Sequence, residues 1–154
     1  MSTVTELLRW DRWANRQVLQ TLQAANGEPP PALAAFQHVL ETEVTWLGRF
    51  GGDPRAFIPQ WQGATLERSR ELQSRANEGL ARLIHDATPS WLAGTFDYEN
   101  SRGQPFRDVR EMTLMHMLMH SSQYRGEAAG FLNAAGHRVR DLDLGYWLRE
   151  GSPD

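Results

Sequence analysis

Two histidines, His116 and His120, lie four residues apart in a methionine-rich run that contains no helix-breaking residue before Gly126. In a helix, residues four apart lie on one face, one turn from each other. The two imidazoles therefore have the spacing to bind one metal ion, provided that another segment supplies a third ligand. Tyr124 continues the same row by one more turn, and a helical wheel places Glu127 close to it.

The same row has a second interpretation, as part of a hydrophobic core. Met112 and Met119 flank the histidines, so we expect the row to belong to the buried face of its helix. Polar groups on a buried face need hydrogen-bond partners, water or an ion. The spacing of two histidines alone is a weak metal signal, and on its own it favours a hydrogen-bonded core row.

Other catalytic arrangements do not match the sequence. Di-iron carboxylate bundles need a Glu-x-x-His pair on each of two helices, and neither this spacing nor His-Glu-x-x-His is present. Ser121 and Ser122 follow His120 directly, but neighbours in a helix point about 100° apart, and there is no Gly-x-Ser-x-Gly elbow. The catalytic residues therefore stay unassigned at this stage.

The composition narrows the chemistry further. The chain has no cysteine and no lysine, so all 16 basic residues are arginine. Thiolate ligands, disulfides and lysine Schiff bases are excluded, and a metal must be held by imidazole, carboxylate, phenolate or amide oxygen. A net charge of −3 gives no bulk attraction to nucleic acid or acidic membranes. With no membrane-spanning run and no leader pattern, we expect a cytoplasmic protein.

Hydrophobic periodicity predicts the elements that must position these residues. It indicates four long helices, over about 3–25, 31–50, 66–86 and 108–135. Between Trp91 and Arg107 the period changes around the turn-like Asn100–Gly103, which predicts a short β-hairpin. We therefore predict an all-α fold, a four-helix bundle with a short β-hairpin before the last long helix, forming a single domain over residues 1–154.

A family resemblance covers nearly the whole chain in order. The matching residues are Trp13–Asn15, His38–Glu43, Trp46–Leu47, Phe96–Tyr98, Gly103, His116, His120, Ser121, Tyr124–Glu127, Leu132, Gly136 and Asp141–Leu142. On these residues the chain resembles the DinB/YfiT-like family. The resemblance is most specific along the long C-terminal helix.

The resemblance implies a four-helix bundle that binds zinc or nickel through one residue of the second helix and two of the last. The ligand positions fall on His38, His120 and Tyr124. It also implies a homodimer, and a metal-dependent enzyme of the hydrolase or thiol S-transferase type that acts on a small-molecule substrate. A small thiol would have to be brought in as a cosubstrate, because the chain has no cysteine.

The family usually has histidine where this chain has Tyr124. A neutral phenol is a poor ligand until its pKa, near 10, is lowered by the metal. Three ways to complete the site are open: Tyr124 as phenolate, His116 as a substitute ligand, or Glu127 as a carboxylate ligand. The alternative is a non-enzymatic bundle with a degenerate metal site, acting as a binding or interaction module.

Overall fold

In the computed structural model, which describes residues 3–154, the protein is mostly helical with one small antiparallel sheet. The elements of this part of the chain are α1 (Thr3–Ala24), α2 (Pro30–Phe50), α3 (Leu66–Asp86), α4 (Pro89–Ala93), β1 (Thr95–Glu99), β2 (Pro105–Val109), α5 (Arg110–Ala134) and α6 (Leu144–Arg149). The four long predicted helices and the hairpin are therefore present, close to their predicted bounds.

Local signals explain two of the differences from the predicted elements. The short α4 was not predicted; Thr88 starts it by accepting a hydrogen bond from Trp91 N, and Pro89 suits its first turn. The last long helix begins two residues later than predicted, at Arg110. Asp108 still belongs to β2, where its carboxylate accepts a hydrogen bond from the Tyr98 hydroxyl instead of capping α5.

The hairpin pairs β1 with β2 antiparallel, from Thr95 opposite Val109 to Glu99 opposite Pro105. Its turn closes because the Asn100 side chain accepts hydrogen bonds from the backbone N–H groups of Arg102 and Gln104. The aromatic rings of Phe96, Tyr98 and Phe106 stack on the sheet. The hairpin leads directly into α5, so its aromatic face lies beside that helix and α2.

The hydrophobic core lies between the four long helices. α2 packs against α3 and α5, and α1 packs against the same two helices. Fully buried side chains from all four helices meet there, including Leu8, Leu22, Phe36, Leu40, Leu72, Leu80, Leu114 and Leu132. None of the helices in residues 3–154 has the length and hydropathy needed to cross a bilayer.

The outward face of α5 departs from the sequence-based expectation. Met112 and Met119 are 70% and 69% exposed, so the histidine row does not lie in the middle of a buried face. The buried side of α5 is offset by about one residue and includes Met117 and Ser121. His116 is exposed and His120 half-buried, which places the row at the margin of the core.

Candidate metal site

His38 of α2 and His120 of α5 face each other across the helix interface. Their Nε2 atoms lie 3.2 Å apart. Two nitrogen ligands at 2.0–2.1 Å from one tetrahedral ion would be separated by about 3.3–3.4 Å. The side chains of two different helices therefore already stand at close to the separation that a shared ion requires.

Both imidazoles are held in the neutral form that metal binding needs. Burial lowers the pKa of His120 to about 4, and the neighbouring His38 and His116 add to the effect. Burial also lowers the pKa of His38, opposed by Glu41, Gln60 and Glu127. At neutral pH one Nε2 donates a hydrogen bond to the other, and neither ring carries a positive charge that would repel a cation.

Aromatic rings fix the plane of the His38 imidazole. Trp61 stacks on it with ring centroids 4.1 Å apart and 17° between the planes, and Tyr124 meets it edge-on at 4.6 Å. The hydrogen bond at Nε2 is the ring's one hydrogen bond among the described residues, because His38 Nδ1 has no partner there and Glu41 Oε2 lies 4.0 Å away. Tyr124 also packs against His120, at 4.7 Å between centroids.

The structure brings together three of the sequence-predicted site residues: His38, His120 and Tyr124. His116 is exposed one turn earlier, with its ring edge towards Trp46 and its centroid 6.3 Å from that of His120. Glu127 is exposed one turn later. Within residues 3–154 no three His, Cys, Asp or Glu side chains are grouped so as to hold an ion. A metal would therefore have two imidazoles and the Tyr124 phenol.

The residues that position Trp61 at the site were not predicted from the sequence. Four polar side chains, spaced four apart along α2, hold the backbone of the connecting segment 53–65 at distances of 2.8 to 3.1 Å. The pairs are Gln37 with Gly63 O and Thr65 N, Glu41 with Trp61 N, Thr45 with Ile58 N, and Arg49 with Ala56 O. We call these four side chains the α2 polar row. Its four-residue period along α2 was the signal available in the sequence.

A second polar cluster, the buried charge network, joins α1, α2 and α5. Arg125 Nη1 donates to Asp11 Oδ1 at 2.7 Å and to Asn15 Oδ1 at 2.8 Å. Asn15 Nδ2 in turn donates to both carboxyl oxygens of Glu43, each at 2.9 Å. The next residue, Gly126, takes no part in this packing, because the space around its Cα is open.

The buried charge network contains two carboxyl groups and one guanidinium. Complete burial, and then the nearby Asp11 carboxylate, raise the pKa of Glu43 well above its usual value, against the opposing effects of Asn15 and Arg125. A protonated Glu43 leaves Asp11 and Arg125 as a balanced ion pair. The network therefore holds three helices together through charges that compensate one another.

Comparisons of the chain with protein-family models, with curated proteins and with solved structures found no match.

Proposed function

We propose that the protein is a DinB-like four-helix-bundle enzyme that depends on a divalent metal ion, zinc or nickel, bound by His38 and His120. The observation that supports this proposal is the 3.2 Å separation of their Nε2 atoms. Two neutral imidazoles on different helices would otherwise gain little from facing each other with both Nδ1 atoms buried and unpartnered. The reaction class that we infer is hydrolysis or thiol S-transfer.

The residues around the pair have distinct roles in this proposal. A bound divalent ion supplies Lewis acidity and lowers the pKa of a water or thiol in an open position. His38 and His120 would hold the ion, and Tyr124, which lies against both rings, would offer its phenol oxygen as the third ligand. Trp61 covers one face of His38 and keeps water away from it. A thiol would be a cosubstrate, because the chain has no cysteine.

The second candidate is a non-enzymatic bundle whose metal site is degenerate. It is favoured by the incomplete ligand set, since the third position holds Tyr124 and no other histidine, cysteine or carboxylate joins the pair within residues 3–154. In that case the hydrogen bond between His38 and His120 is the final arrangement, and the protein acts as a binding or interaction module.

Metal analysis of protein purified without a histidine tag tests the two candidates. The first predicts close to one zinc or nickel ion per chain, and a zinc-dependent increase in melting temperature that is lost in His120→Gln. At a free zinc concentration 100 times Kd, the increase corresponds to about 2.7 kcal/mol. The second predicts metal-free protein with an unchanged melting temperature.

Two histidine variants serve as matched controls. His116→Gln removes the neighbouring imidazole, and His85→Gln removes an exposed one whose Nδ1 pairs with Asp86 at the end of α3. Both are expected to keep the zinc response. If His116→Gln abolishes metal binding while His38→Gln does not, the ion is held elsewhere and the proposed ligand pair is wrong.

The resemblance also leads us to propose a homodimer. The exposed Met112 and Met119 on α5 are the side chains that we expect a second copy to cover. Light scattering on the wild type and on the double variant Met112→Gln, Met119→Gln tests this: we expect a dimer that the double substitution weakens.

A further inference from the structure

A cavity of about 330 Å³ opens beside His38, between α2, the segment 53–65 and the hairpin. Four aromatic side chains, Trp46, Phe57, Tyr98 and Phe106, form the apolar part of its wall. Phe57 and Phe106 are each 45% exposed, although they come from different parts of the chain. Cavities of this size, apolar with a few polar groups, are the usual form of small-molecule sites.

Among the described residues that line this cavity, Arg49 is the one with a formal charge. It is 7% exposed, and it has no carboxylate partner among the described residues. Its Nε donates to Ala56 O at 3.1 Å and its Nη2 to Glu99 O at 2.9 Å, while Nη1 makes no hydrogen bond in this part of the chain. A buried cation without a counter-ion is costly, so it attracts an anion strongly.

Aromatic faces further define what fits next to the guanidinium. Its carbon lies 4.6 Å from the ring centre of Trp46 and 5.0 Å from that of Tyr98. The hydroxyl of Tyr98 donates to Asp108, and burial raises the pKa of Tyr98 to about 12, so this wall stays uncharged. Asp108 lines the adjoining cavity and not this one. None of the lining residues within 3–154 is a carboxylate that would repel an anionic ligand.

We propose that this cavity binds a small, flat aromatic carboxylate. The carboxylate contacts Arg49 Nη1, the ring packs between Phe57, Tyr98 and Phe106, and the far end of the molecule points to His38. That this ligand is the substrate rests on the proposed function. The binding of this ligand does not rest on the proposed function. Arg49 and the aromatic residues recognise it without being metal ligands, and His38 lies only at its far end.

The test compares 2-naphthoate with its uncharged analogue 2-naphthamide on metal-free wild-type protein, by calorimetry. We expect the carboxylate to bind at least about tenfold more tightly than the amide, and added salt to reduce the difference. Two-dimensional NMR is expected to show shifts in the ring signals of Phe57 and Tyr98. Equal affinities, or no binding of either compound at millimolar concentration, would overturn the proposal.

Two arginine variants assign the preference to Arg49. Arg49→Met is expected to remove the tenfold preference. Arg49→Lys, which keeps the positive charge, should retain part of it. The lysine variant controls for loss of the Arg49 contacts to Ala56 and Glu99. Arg110 is the matched control, because its guanidinium also lies over aromatic rings, of Trp91 and Phe96, but it does not line the cavity. Arg110→Met should keep the preference; if it loses it as well, the effect is not local to Arg49.

The outcome is separable from that of the metal analysis. A retained carboxylate preference in a protein that binds no zinc refutes the enzyme proposal and leaves this one intact. Stoichiometric zinc binding without any carboxylate preference does the reverse.

Discussion

α2 and α5 face each other across two polar clusters of very different character. In the buried charge network, Arg125 pairs with Asp11 and the Asn15 amide bridges them to Glu43. At the candidate metal site, two like groups face each other, and the surrounding rings leave a cavity open beside them. Opposite charges that compensate one another form a structural element. Two neutral imidazoles that converge instead form a candidate site for a metal ion.

The largest expected effect comes from breaking the buried charge network. Arg125→Met leaves the Asp11 carboxylate buried without a cation, which should cost about 3–5 kcal/mol in the free energy of unfolding. Urea denaturation measures the loss. The control is Arg107→Met, which breaks the solvent-exposed pair with Asp97 on the hairpin and should leave the unfolding midpoint unchanged. Equal effects of the two substitutions would contradict the distinction between buried and exposed pairs.

A substitution at the candidate metal site should cost much less stability when no metal is bound. In metal-free protein, His120→Gln removes one hydrogen bond at the margin of the core, so we expect a change of about 1 kcal/mol or less in unfolding free energy. The same substitution should abolish the zinc-dependent stabilisation. A variant that destabilises the metal-free protein as strongly as Arg125→Met would show that the histidine pair is a structural element.

The two clusters should change the free energy of unfolding with pH in opposite directions. Glu43 loses its proton near pH 4.5 in the unfolded protein and only at a higher pH in the folded protein. This group therefore makes the free energy of unfolding fall as the pH rises above about 4.5. Unfolded His120 takes up a proton near pH 6.5 and the folded protein only near pH 4, so stability falls as the pH drops between these values.

Substitution of each group should remove the change of unfolding free energy with pH that this group causes. Unfolding experiments from pH 4 to pH 9 measure this. Glu43→Gln keeps the shape of the protonated carboxyl and should flatten the loss of stability at higher pH. His120→Gln should flatten the loss between pH 6.5 and pH 4. If the pH profile of the Glu43→Gln variant is the same as that of the wild type, Glu43 is ionised in the folded protein.

The smallest expected effect is that of Trp61, which orients His38 by stacking. Trp61→Ala should weaken zinc binding about tenfold, in the range typical of residues that position a ligand, and Trp61→Phe should restore most of it. In metal-free protein, the ring current of Trp61 shifts the His38 carbon-bound proton signals, and Trp61→Ala should remove this shift. An unchanged His38 spectrum would contradict the stacked geometry.

Most of the secondary structure could be predicted from the sequence, and the site only in part. The bounds of α3 match because Thr65 caps it and a strong apolar period follows. The exposure of Met112 and Met119 could not be predicted, because apolar residues surround α5 on all sides and periodicity does not show which side faces the core. The meeting of His38 with His120 depends on the packing of α2 against α5, which local pattern does not determine.

The α2 polar row has a consequence for how this protein can change. Its four side chains hold peptide groups of the segment 53–65 and not the segment's side chains. The path of that segment is therefore largely independent of what Phe57 and Trp61 are, although both border the site. Ligand preference can diverge by substitution at these positions while the framework persists, which makes the segment the natural place to begin redesigning specificity.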